Sequence, residues 1–437
     1  MRLLVIGGGG REHALVSRCA KETGRDDLFV APGNPGMAAC ARLVAINPSQ
    51  PDEVLALVER EQIDLTIVGP ELPLSVGLVD RFIERFGADG RLIVGPTQAA
   101  AQLETSKAFA KAFMARHGVP TARFRTFDDV EGALAFARAG SFGFPLVLKA
   151  DGLAAGKGVV IAPDLTAAEV AIRDAMIEQR FGAAGARLVI EECLAGPEVS
   201  FFALCDGRLG LPIGTAQDHK RIFDDDRGPN TGGMGAFAPS PLVDAGLHRV
   251  IMQTVIEPVL AGMAAEGQPF RGFLYAGLML TADGPKVIEF NVRLGDPEAQ
   301  VILSLIDEPL LPLLVASAKG DLASRTVQLA PGTRVGVTVA SRGYPEQAES
   351  GQVIRGLDEA SLLPDVAVFH AGTARRGDAI VTAGGRVLTV VGSGADYASA
   401  IARAYDGVAH VSFDGMQFRR DIGQKALAAT GQAQVPR

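Results

Sequence analysis

The chain has 437 residues, with 42 Lys and Arg against 50 Asp and Glu, so its formal net charge is −8. This acidic balance excludes a basic footprint for nucleic acid across the whole chain, and a hydrophobic content of 48% excludes general disorder. Glycine is over-represented at 52 residues, about 12% against a usual share of about 7%. The length predicts about three domains, and we expect the surplus glycines in turns and in loops where the backbone approaches a ligand.

Strand and helix patterns alternate over the first hundred residues. Strands are predicted at residues 2–6, 28–30, 65–68 and 92–94, and helices near residues 12–21, 51–61 and 76–86. Each strand ends in a turn that contains Gly or Pro, and the alternation predicts a parallel α/β domain over residues 1–103. Such sheets bind ligands at the carboxyl ends of their strands, where these turns lie.

The predicted secondary structure changes twice along the rest of the chain. A helix is predicted near residues 99–117, and residues 124–192 hold strands and helices around a Gly-rich loop. From about residue 334 the segments are β-rich, with one helix near residues 397–405, which predicts a small α+β domain over residues 326–425. We expect a mobile tail over residues 426–437.

The sequence offers no sign of export or membrane insertion. The four cysteines lack C-x-x-C spacing, which argues against a zinc site or a disulfide framework. The apolar run at the start is too short for a signal peptide, and the apolar residues 301–318 are interrupted by two acidic residues and two prolines. We therefore expect a cytoplasmic protein with no membrane partner.

A run of four glycines, residues 7–10, follows the first strand and opens a helix, as in loops that bind phosphate. The dinucleotide fingerprint G-x-G-x-x-G/A would need Gly or Ala where Glu12 or His13 stands. A small anion against backbone N–H groups is the favoured interpretation. A dinucleotide site and a purely structural turn are the alternatives.

The second Gly-rich segment, KADGLAAGKGVV, spans residues 149–160. It is not a Walker A loop, because Gly158 follows Lys157 where Ser or Thr is needed. Apolar strands on both sides predict a flexible β-hairpin whose backbone N–H groups, with Lys149 and Lys157, cover a polyphosphate. A solvated hairpin is the alternative.

Two further segments carry carboxylates on predicted strands. One strand ends in Glu191 and Glu192, with Glu198 six positions later, a pattern that suits an adenine pocket with a ribose anchor or a solvated strand end. In the other, Glu289 and Asn291 share one strand face with Arg293, while the alternating apolar residues face the core. A carboxylate and an amide oxygen suit Mg²⁺, and the Arg can stabilise charge on transferring phosphate.

Two polar motifs lie between these segments. QDHKR occupies residues 217–221, and GPNTGGMG occupies residues 228–235. The second motif predicts backbone close to a polar ligand. His219 has no Ser or Cys nucleophile in motif context, and we interpret it as a structural or binding residue.

Together these motifs resemble the ATP-grasp enzymes and, more narrowly, the phosphoribosylamine–glycine ligase (glycinamide ribonucleotide synthetase) family. The resemblance covers residues 1 to about 425 and rests on the combination of GREH, KADGLAAGKGV, QDHKR and GPNTGGMG. It implies a multidomain α/β and α+β fold. An N-terminal substrate-binding domain (1–103) would precede an ATP-grasp region (104–325, with a lid subdomain at about 124–192) and a C-terminal α+β domain (326–425).

The resemblance also implies an activity and a set of roles. The enzyme would join glycine to 5-phosphoribosylamine with ATP through a glycyl phosphate, in de novo purine biosynthesis, as a monomer or weak dimer. Mg²⁺ or Mn²⁺ would be bound by Glu289 and Asn291, and Arg293, Asp218 and Lys220 would lie near the reacting groups. ATP would be bound by Lys107, Lys149, Gly152, Gly156, Lys157, Gly158, Glu191, Glu192, Leu194 and Glu198. Phosphoribosylamine would be surrounded by Gly9, Gly10, Arg11, Glu12, Asn34, Glu71, Thr231, Gly232, Gly233, Arg293 and Asp296.

Some alternatives stay open. Neighbours on a strand point opposite ways, so either Glu191 or Glu192 could face the adenine. Another ATP-grasp carboxylate–amine ligase or carboxylase is the nearest alternative function. An NAD-dependent oxidoreductase and a non-catalytic nucleotide-binding regulator are the alternatives from other classes.

Overall fold

The computed structural model describes residues 1–153 and 158–431. Strands β1 (Leu3–Gly7), β2 (Leu28–Pro32), β3 (Arg42–Leu43), β4 (Leu65–Val68) and β5 (Leu92–Val94) form a parallel sheet in the order β3-β2-β1-β4-β5. Helices α1 (Gly10–Cys19), α2 (Pro51–Arg60), α3 (Glu71–Ser75) and α4 (Leu78–Phe86) alternate with them. The central strands β1 and β4 are buried at every residue, as expected when both faces of a parallel sheet are covered. The predicted parallel α/β fold is confirmed, with the short edge strand β3 added.

The helix predicted near residues 99–117 is two helices, α5 (Gln102–Thr105) and α6 (Lys107–Arg116). Ser106 separates them because its backbone is extended and its hydroxyl accepts the Phe109 N–H, which makes it the N-cap of α6. Lys107 therefore stands at the first position of a new helix rather than in the middle of a long one.

The next unit is a four-stranded antiparallel sheet covered by two helices. Its elements are β6 (Phe124–Phe127), α7 (Val130–Ala139), β7 (Leu146–Ala150), β8 (Val159–Ala162), α8 (Leu165–Met176) and β9 (Leu188–Glu192), with sheet order β6-β9-β7-β8. Asp129 and Asp164 cap the two helices by accepting N–H groups of their first turns. Strands β7 and β8 pair as the predicted hairpin. Gly156 and Lys157 lie outside the described residues.

The middle of the chain supplies the strands and helices that carry most of the polar motifs. They are β10 (Glu198–Asp206), β11 (Gly210–Asp218), β12 (Arg221–Phe223), β13 (Arg227–Asn230), β14 (Gly235–Ala238), α9 (Ala245–Ile251), α10 (Glu257–Ala265), β15 (Arg271–Thr281), β16 (Gly284–Asn291), α11 (Glu298–Ile302) and α12 (Leu310–Lys319). Residues 301–318, too interrupted for a membrane span, form parts of α11 and α12. No helix within residues 1–153 and 158–431 has the length and apolar composition to cross a bilayer.

The C-terminal elements are β17 (Thr333–Ala340), α13 (Leu357–Ser361), β18 (Val366–His370), β19 (Thr373–Arg376), β20 (Ala379–Thr382), β21 (Arg386–Gly394), α14 (Tyr397–His410) and α15 (Gln424–Thr430). Three of the C-terminal strands, β17, β21 and β18, belong to one sheet with strands from the middle of the chain, and β19 and β20 form a separate pair. One antiparallel sheet runs in the order β16-β15-β10-β11-β14-β17-β21-β18, and the β14–β17 pairing joins the two parts. The α+β character is confirmed, and the domain boundaries stay predictions.

The tail predicted to be mobile from residue 426 begins inside a helix, and its mobility stays a prediction. Helix α15 continues to Thr430, and its Ala426 and Leu427 are fully buried in the C-terminal core with Ile401 and Val335. Apolar burial of this last turn outweighs the cost of ordering a chain end. Residues 432–437 lie outside the described residues.

The N-terminal and C-terminal parts meet at two buried histidines. His13 Nδ1 on α1 accepts the backbone N–H of His370 at the end of β18 (2.8 Å), and the ring centroids are 5.7 Å apart. Burial, reinforced by the neighbouring His370, lowers the pKa of His13 to about 3, and burial lowers the pKa of His370 to about 4. Both rings are therefore neutral in the folded protein near pH 7.

We expect acid to destabilise the protein through this contact. His13 is protonated in the unfolded chain below a pKa of about 6.5, whereas the folded protein resists protonation, so stability present above pH 6.5 is lost as pH falls; at pH 5 the loss is about 2 kcal/mol for His13. Urea unfolding of the wild type and of His13→Asn, whose amide oxygen can accept the same N–H but does not titrate, measures the effect. Identical pH slopes for the two proteins would contradict it.

Candidate active site

The loop after β1 lies at the carboxyl end of the parallel sheet and is closed by Glu12. The Glu12 carboxylate accepts hydrogen bonds from the Gly9 N–H (2.7 Å) and from Arg11 Nε (2.5 Å). It packs so closely that a Cβ at Gly69 would lie 2.2 Å from its Oε1. In this structure Glu12 therefore caps helix α1 and fixes Arg11 beside the loop.

Asn34 and Asp296 both border this loop. The Asn34 amide donates to the carbonyls of Gly8 (2.9 Å) and His370 (2.8 Å). Asp296 comes so near that a Cβ at Gly9 would lie 3.4 Å from its Oδ2. The structure thus brings together the predicted substrate-binding residues Gly9, Gly10, Arg11, Glu12, Asn34 and Asp296.

Asp296 is an ionised carboxylate at the edge of the loop. Burial disfavours its charge, but the guanidinium groups of Arg386 and Arg11 outweigh burial and lower its pKa below the ordinary value. Gln300 Nε2 also donates to its Oδ1 (2.8 Å). A fixed negative charge in this position suits a ligand that carries an amine.

Arg293 follows β16 and is held by carboxylates from two other segments. Its Nη2 lies 2.8 Å from Glu104 Oε1, and its Nε lies 3.2 Å from Glu71 Oε2. The second oxygen of Glu104 accepts the Val292 N–H (2.8 Å). Burial opposes the guanidinium charge, but Glu104 and Glu71 outweigh it and raise the pKa of Arg293 above its ordinary value. The guanidinium therefore has a fixed charge and a fixed orientation, as stabilisation of a reacting anion requires.

Glu191 is buried between two lysines. Lys149 Nζ lies 2.9 Å from its Oε1, and Lys111 Nζ lies 2.7 Å from its Oε2. Lys149 also donates to the Ile288 carbonyl (2.9 Å), which a bulge between β15 and β16 leaves out of the regular pairing. Burial lowers the pKa of Lys111 to about 8, although Glu191 favours its charged form. The carboxylate thus positions both ammonium groups.

Glu192 points to the opposite side of β9. Its carboxylate accepts the backbone N–H of Arg123 (2.9 Å) and pairs with the Arg123 Nε at 2.5 Å. Burial disfavours the charge, but these contacts outweigh it and lower the pKa of Glu192. Leu194 follows in the half-buried segment before β10. Which of the two glutamates contacts adenine stays a prediction.

Lys107 lies where α6 meets the β7–β8 hairpin. Its Nζ donates to the carbonyls of Gly152 (3.0 Å) and Glu104 (3.2 Å). Asp151 binds the same helix end, because its Oδ1 accepts from the Ser106 hydroxyl (2.9 Å) and the Ala108 N–H (3.1 Å). The start of α6 therefore already holds one anion, at the kind of site that favours negative charge. Gly158, at the other side of the hairpin turn, is buried.

Lys220 is the cation of a second cluster. Its Nζ donates to Glu198 Oε2 (2.7 Å). Burial opposes its charge, but Asp218 is foremost among the neighbours that outweigh burial and raise the pKa of Lys220 well above its ordinary value. Burial raises the pKa of Asp218, although Lys220 counteracts it. The predicted catalytic residues Asp218 and Lys220 thus lie close to Glu198, the residue predicted to bind the ribose.

The Gly-rich loop of residues 228–235 is tied to this cluster. The Thr231 N–H and hydroxyl both donate to the Lys220 carbonyl (2.7 and 2.9 Å). The Thr231 hydroxyl accepts the Gly233 N–H (3.0 Å), and Gly233 adopts φ +118°, which favours glycine. The loop therefore places its backbone beside Lys220.

The side chains of Glu289 and Asn291 fit a hard divalent cation. Both are half-buried at the end of β16, while the alternating Phe290 is buried. Burial disfavours the Glu289 charge, but Lys220 and Lys149 are the largest of several cationic influences that lower its pKa. No group of three or more His, Cys, Asp or Glu side chains within residues 1–153 and 158–431 could hold a metal alone. Two protein oxygens leave room for phosphate oxygens and water, which Mg²⁺ prefers.

Sequence reasoning missed three residues that organise the site. Glu104 positions Arg293, Lys111 pairs with Glu191, and Arg386 contacts Asp296. Lys111 had a usable signal, because it follows Lys107 by one helical turn on the same face. Glu104 lies within a segment that resembles the family, but no spacing around it predicts a contact with Arg293. Nothing in the sequence near Arg386 indicates its role, since its partners are distant in sequence.

Comparison with known families agrees with this geometry. Three family models match the chain: phosphoribosylglycinamide synthetase N domain at residues 1–104, its ATP-grasp (A) domain at 105–299, and its C domain at 334–425. Proteins named phosphoribosylamine–glycine ligase are similar along nearly the whole length. The one from Xylella fastidiosa is 50% identical, with 98% of each chain covered, and the one from Allochromatium vinosum is 51% identical, with 98% of this chain and 99% of that protein covered.

Solved structures give the same result. The crystal structure of phosphoribosylamine–glycine ligase from Thermotoga maritima has a TM-score of 0.84 and 33% identity, and covers 96% of this chain and 100% of that chain. Biotin carboxylase from Campylobacter jejuni shares the fold alone, with a TM-score of 0.71 and 15% identity over 98% of this chain and 95% of that chain. The fold is that of the ATP-grasp enzymes. Within that class, the chain belongs to the phosphoribosylglycinamide synthetase family.

We expect Glu104→Gln to lower turnover through Arg293. A glutamine can accept the Val292 N–H only if its own N–H groups face the guanidinium of Arg293. Arg293 then loses the carboxylate that fixes its orientation. Misplacement of a catalytic group in this way costs about 10- to 100-fold in kcat. ATP-dependent ADP release measures the change. Glu71→Gln is the matched control, since Glu71 is more exposed and the contact is longer, and it should have the smaller effect. A Glu104→Gln protein with wild-type kcat would contradict the assignment.

Proposed function

We propose that the chain joins glycine to 5-phosphoribosylamine in an ATP-dependent reaction that gives glycinamide ribonucleotide, ADP and phosphate. The observation that carries this proposal is the position of Glu289 among several cations, foremost Lys220 and Lys149, in a chain whose relatives are named for that reaction. The arrangement supports binding of a polyphosphate and a divalent cation next to a loop that suits a phosphorylated amine.

On the ATP side, Lys107 and Lys149 would contact phosphate oxygens, and Gly152 and Gly158 would flank the hairpin that covers them. Lys107 now donates to two backbone carbonyls, which phosphate oxygens can replace as stronger, charged acceptors. Adenine would lie against the segment of Glu191, Glu192 and Leu194, and ribose near Glu198. Gly156 and Lys157 would complete the hairpin, and they lie outside the described residues.

Glu289 and Asn291 would hold the divalent cation, either Mg²⁺ or Mn²⁺. When bound, the cation neutralises charge on phosphate oxygens. The lysines contribute in the same sense, because positive charge around the γ-phosphate offsets the charge that develops as it is transferred.

The first chemical step is attack of a glycine carboxylate oxygen on the γ-phosphorus. A new O–P bond forms, the bond to the β-phosphate oxygen breaks, and ADP leaves with its electron pair. Arg293 has an orientation fixed by Glu104 and Glu71, and it would stabilise the transferring phosphoryl group. Asp218 and Lys220 would position the reacting groups at the other side.

In the second step the amine of 5-phosphoribosylamine attacks the carbonyl carbon of glycyl phosphate, and phosphate leaves with the C–O bonding electrons while the nitrogen loses a proton. Asp296 would attract the amine, and the phosphate group of 5-phosphoribosylamine would lie at the N-terminal end of helix α1. The binding site for 5-phosphoribosylamine would be completed by Asn34, Glu71 and the backbone of Thr231, Gly232 and Gly233. No covalent enzyme nucleophile is needed, because positioning and charge stabilisation suffice. A cytoplasmic location and a monomer or weak dimer remain predictions.

The function is tested by ADP release in the presence of 5-phosphoribosylamine and each candidate acid. We expect ADP and phosphate to form in equal amounts only when glycine and 5-phosphoribosylamine are both present, because the acyl phosphate is held until the amine attacks. Bicarbonate, alanine and serine in place of glycine are the comparisons. Turnover with bicarbonate and none with glycine would instead indicate an ATP-grasp carboxylase.

We expect Glu289→Ala to lower kcat by about 100-fold or more at saturating Mg²⁺, since it removes a carboxylate ligand from the cation that neutralises phosphate charge. Asp283→Ala is the matched control, because Asp283 lies on the same β15–β16 hairpin with its side chain 82% exposed. Both variants should keep the wild-type circular dichroism spectrum. Wild-type activity of Glu289→Ala would contradict the metal assignment.

A further inference from the structure

Arg386 enters the active site from the C-terminal part of the chain. It is the first residue of β21, paired with Ala340 of β17. Its side chain is 22% exposed, although a surface position would leave an arginine far more open. None of the motifs that identify the family includes it.

The Arg386 guanidinium joins two loops that are distant in sequence. Nη1 donates to the Gly232 carbonyl (2.7 Å) and to the Asp296 carbonyl (2.5 Å). Nη2 lies 3.5 Å from Asp296 Oδ2. One side chain therefore fixes the Gly-rich loop against the turn that carries Asp296.

A second C-terminal residue, Tyr344, contacts the backbone N–H of Gly232, whereas Arg386 contacts its carbonyl. The Tyr344 hydroxyl accepts the Gly232 N–H (2.9 Å). A Cβ at Gly232 would lie 3.0 Å from Arg386 Cζ, and a Cβ at Gly233 would lie 2.5 Å from Pro297 Cδ. The backbone can thus approach its partners this closely only because both positions are glycine.

Asp296 in turn borders the N-terminal glycine loop, because a Cβ added at Gly9 would lie 3.4 Å from its Oδ2. Arg386 therefore contacts the loop of residues 228–235 and the turn at Asp296 directly. It reaches the loop of residues 7–10 only through Asp296. Within the described residues, the side-chain hydrogen bonds and the ion pair of Arg386 go to Gly232 and Asp296 and not to the residues predicted to bind ATP.

We propose that Arg386 is a positioning residue, through which the C-terminal part of the chain holds the Gly-rich loop and Asp296 in the geometry that receives 5-phosphoribosylamine. This inference rests on the proposed function. It predicts a selective effect: binding of the phosphorylated amine depends on Arg386, whereas binding of ATP does not.

The test compares Arg386→Ala and Arg386→Lys with the wild type. Loss of these charge-assisted hydrogen bonds should raise the KM for 5-phosphoribosylamine by about tenfold or more and leave the KM for ATP within about twofold. Lysine keeps a positive charge near Asp296, but its side chain is shorter and lacks the second terminal nitrogen, so Arg386→Lys should recover only part of the loss. Arg342→Ala is the matched control, because Arg342 pairs with Asp414 on the exposed surface of the same region.

Hydrogen exchange at the amides of residues 228–235 gives a second readout that needs no turnover. Arg386→Ala should exchange faster there than the wild type, and Arg342→Ala should not. If wild-type protein fails to ligate glycine and 5-phosphoribosylamine, the proposed function fails while the exchange experiment still tests the loop contact. Unchanged exchange in Arg386→Ala, or an equal rise in the KM for ATP, would overturn the inference.

Discussion

The site depends on the compensation of buried charge. Several of its lysines and arginines are buried, and carboxylates balance and orient them: Glu191 lies between Lys111 and Lys149, and Glu104 holds Arg293. Isolated charges in such positions would be neutralised or would cost several kcal/mol each. The partners come from segments that are far apart in the sequence, so this compensation exists only when those segments are packed together.

Local patterns sufficed for much of the fold and for the outline of the site. Strand β4 was predicted at its observed bounds, because a buried parallel strand is a short apolar run closed by Gly and Pro. The alternation around Glu289 and Asn291 was likewise readable, since strand side chains alternate in direction. Motif resemblance supplied the chemistry, because GREH, QDHKR and the two Gly-rich segments occur together in a recognisable order.

Contacts between distant segments could not be read in this way. Ser106 divides a continuous helical pattern into two helices because its hydroxyl caps the second one, α6. The local pattern does not predict this break, because it depends on how α6 packs in the folded chain. The bulge at Ile288 interrupts an otherwise regular alternation and frees a carbonyl for Lys149. The last helix packs through Ala426 and Leu427 against the C-terminal core, which composition near the chain end does not reveal.

The pairing of β14 with β17 makes the large sheet a shared property of two segments that family models treat as separate domains. Every residue of β14 is buried. If the chain were cut between α12 and β17, the N-terminal piece would keep a fully apolar strand whose outer hydrogen-bonding groups had no partner. Open edges of this kind recruit other strands and promote aggregation. The C-terminal part is therefore not a detachable module, and gene fusions or truncations that divide the protein there should yield insoluble material rather than two working halves.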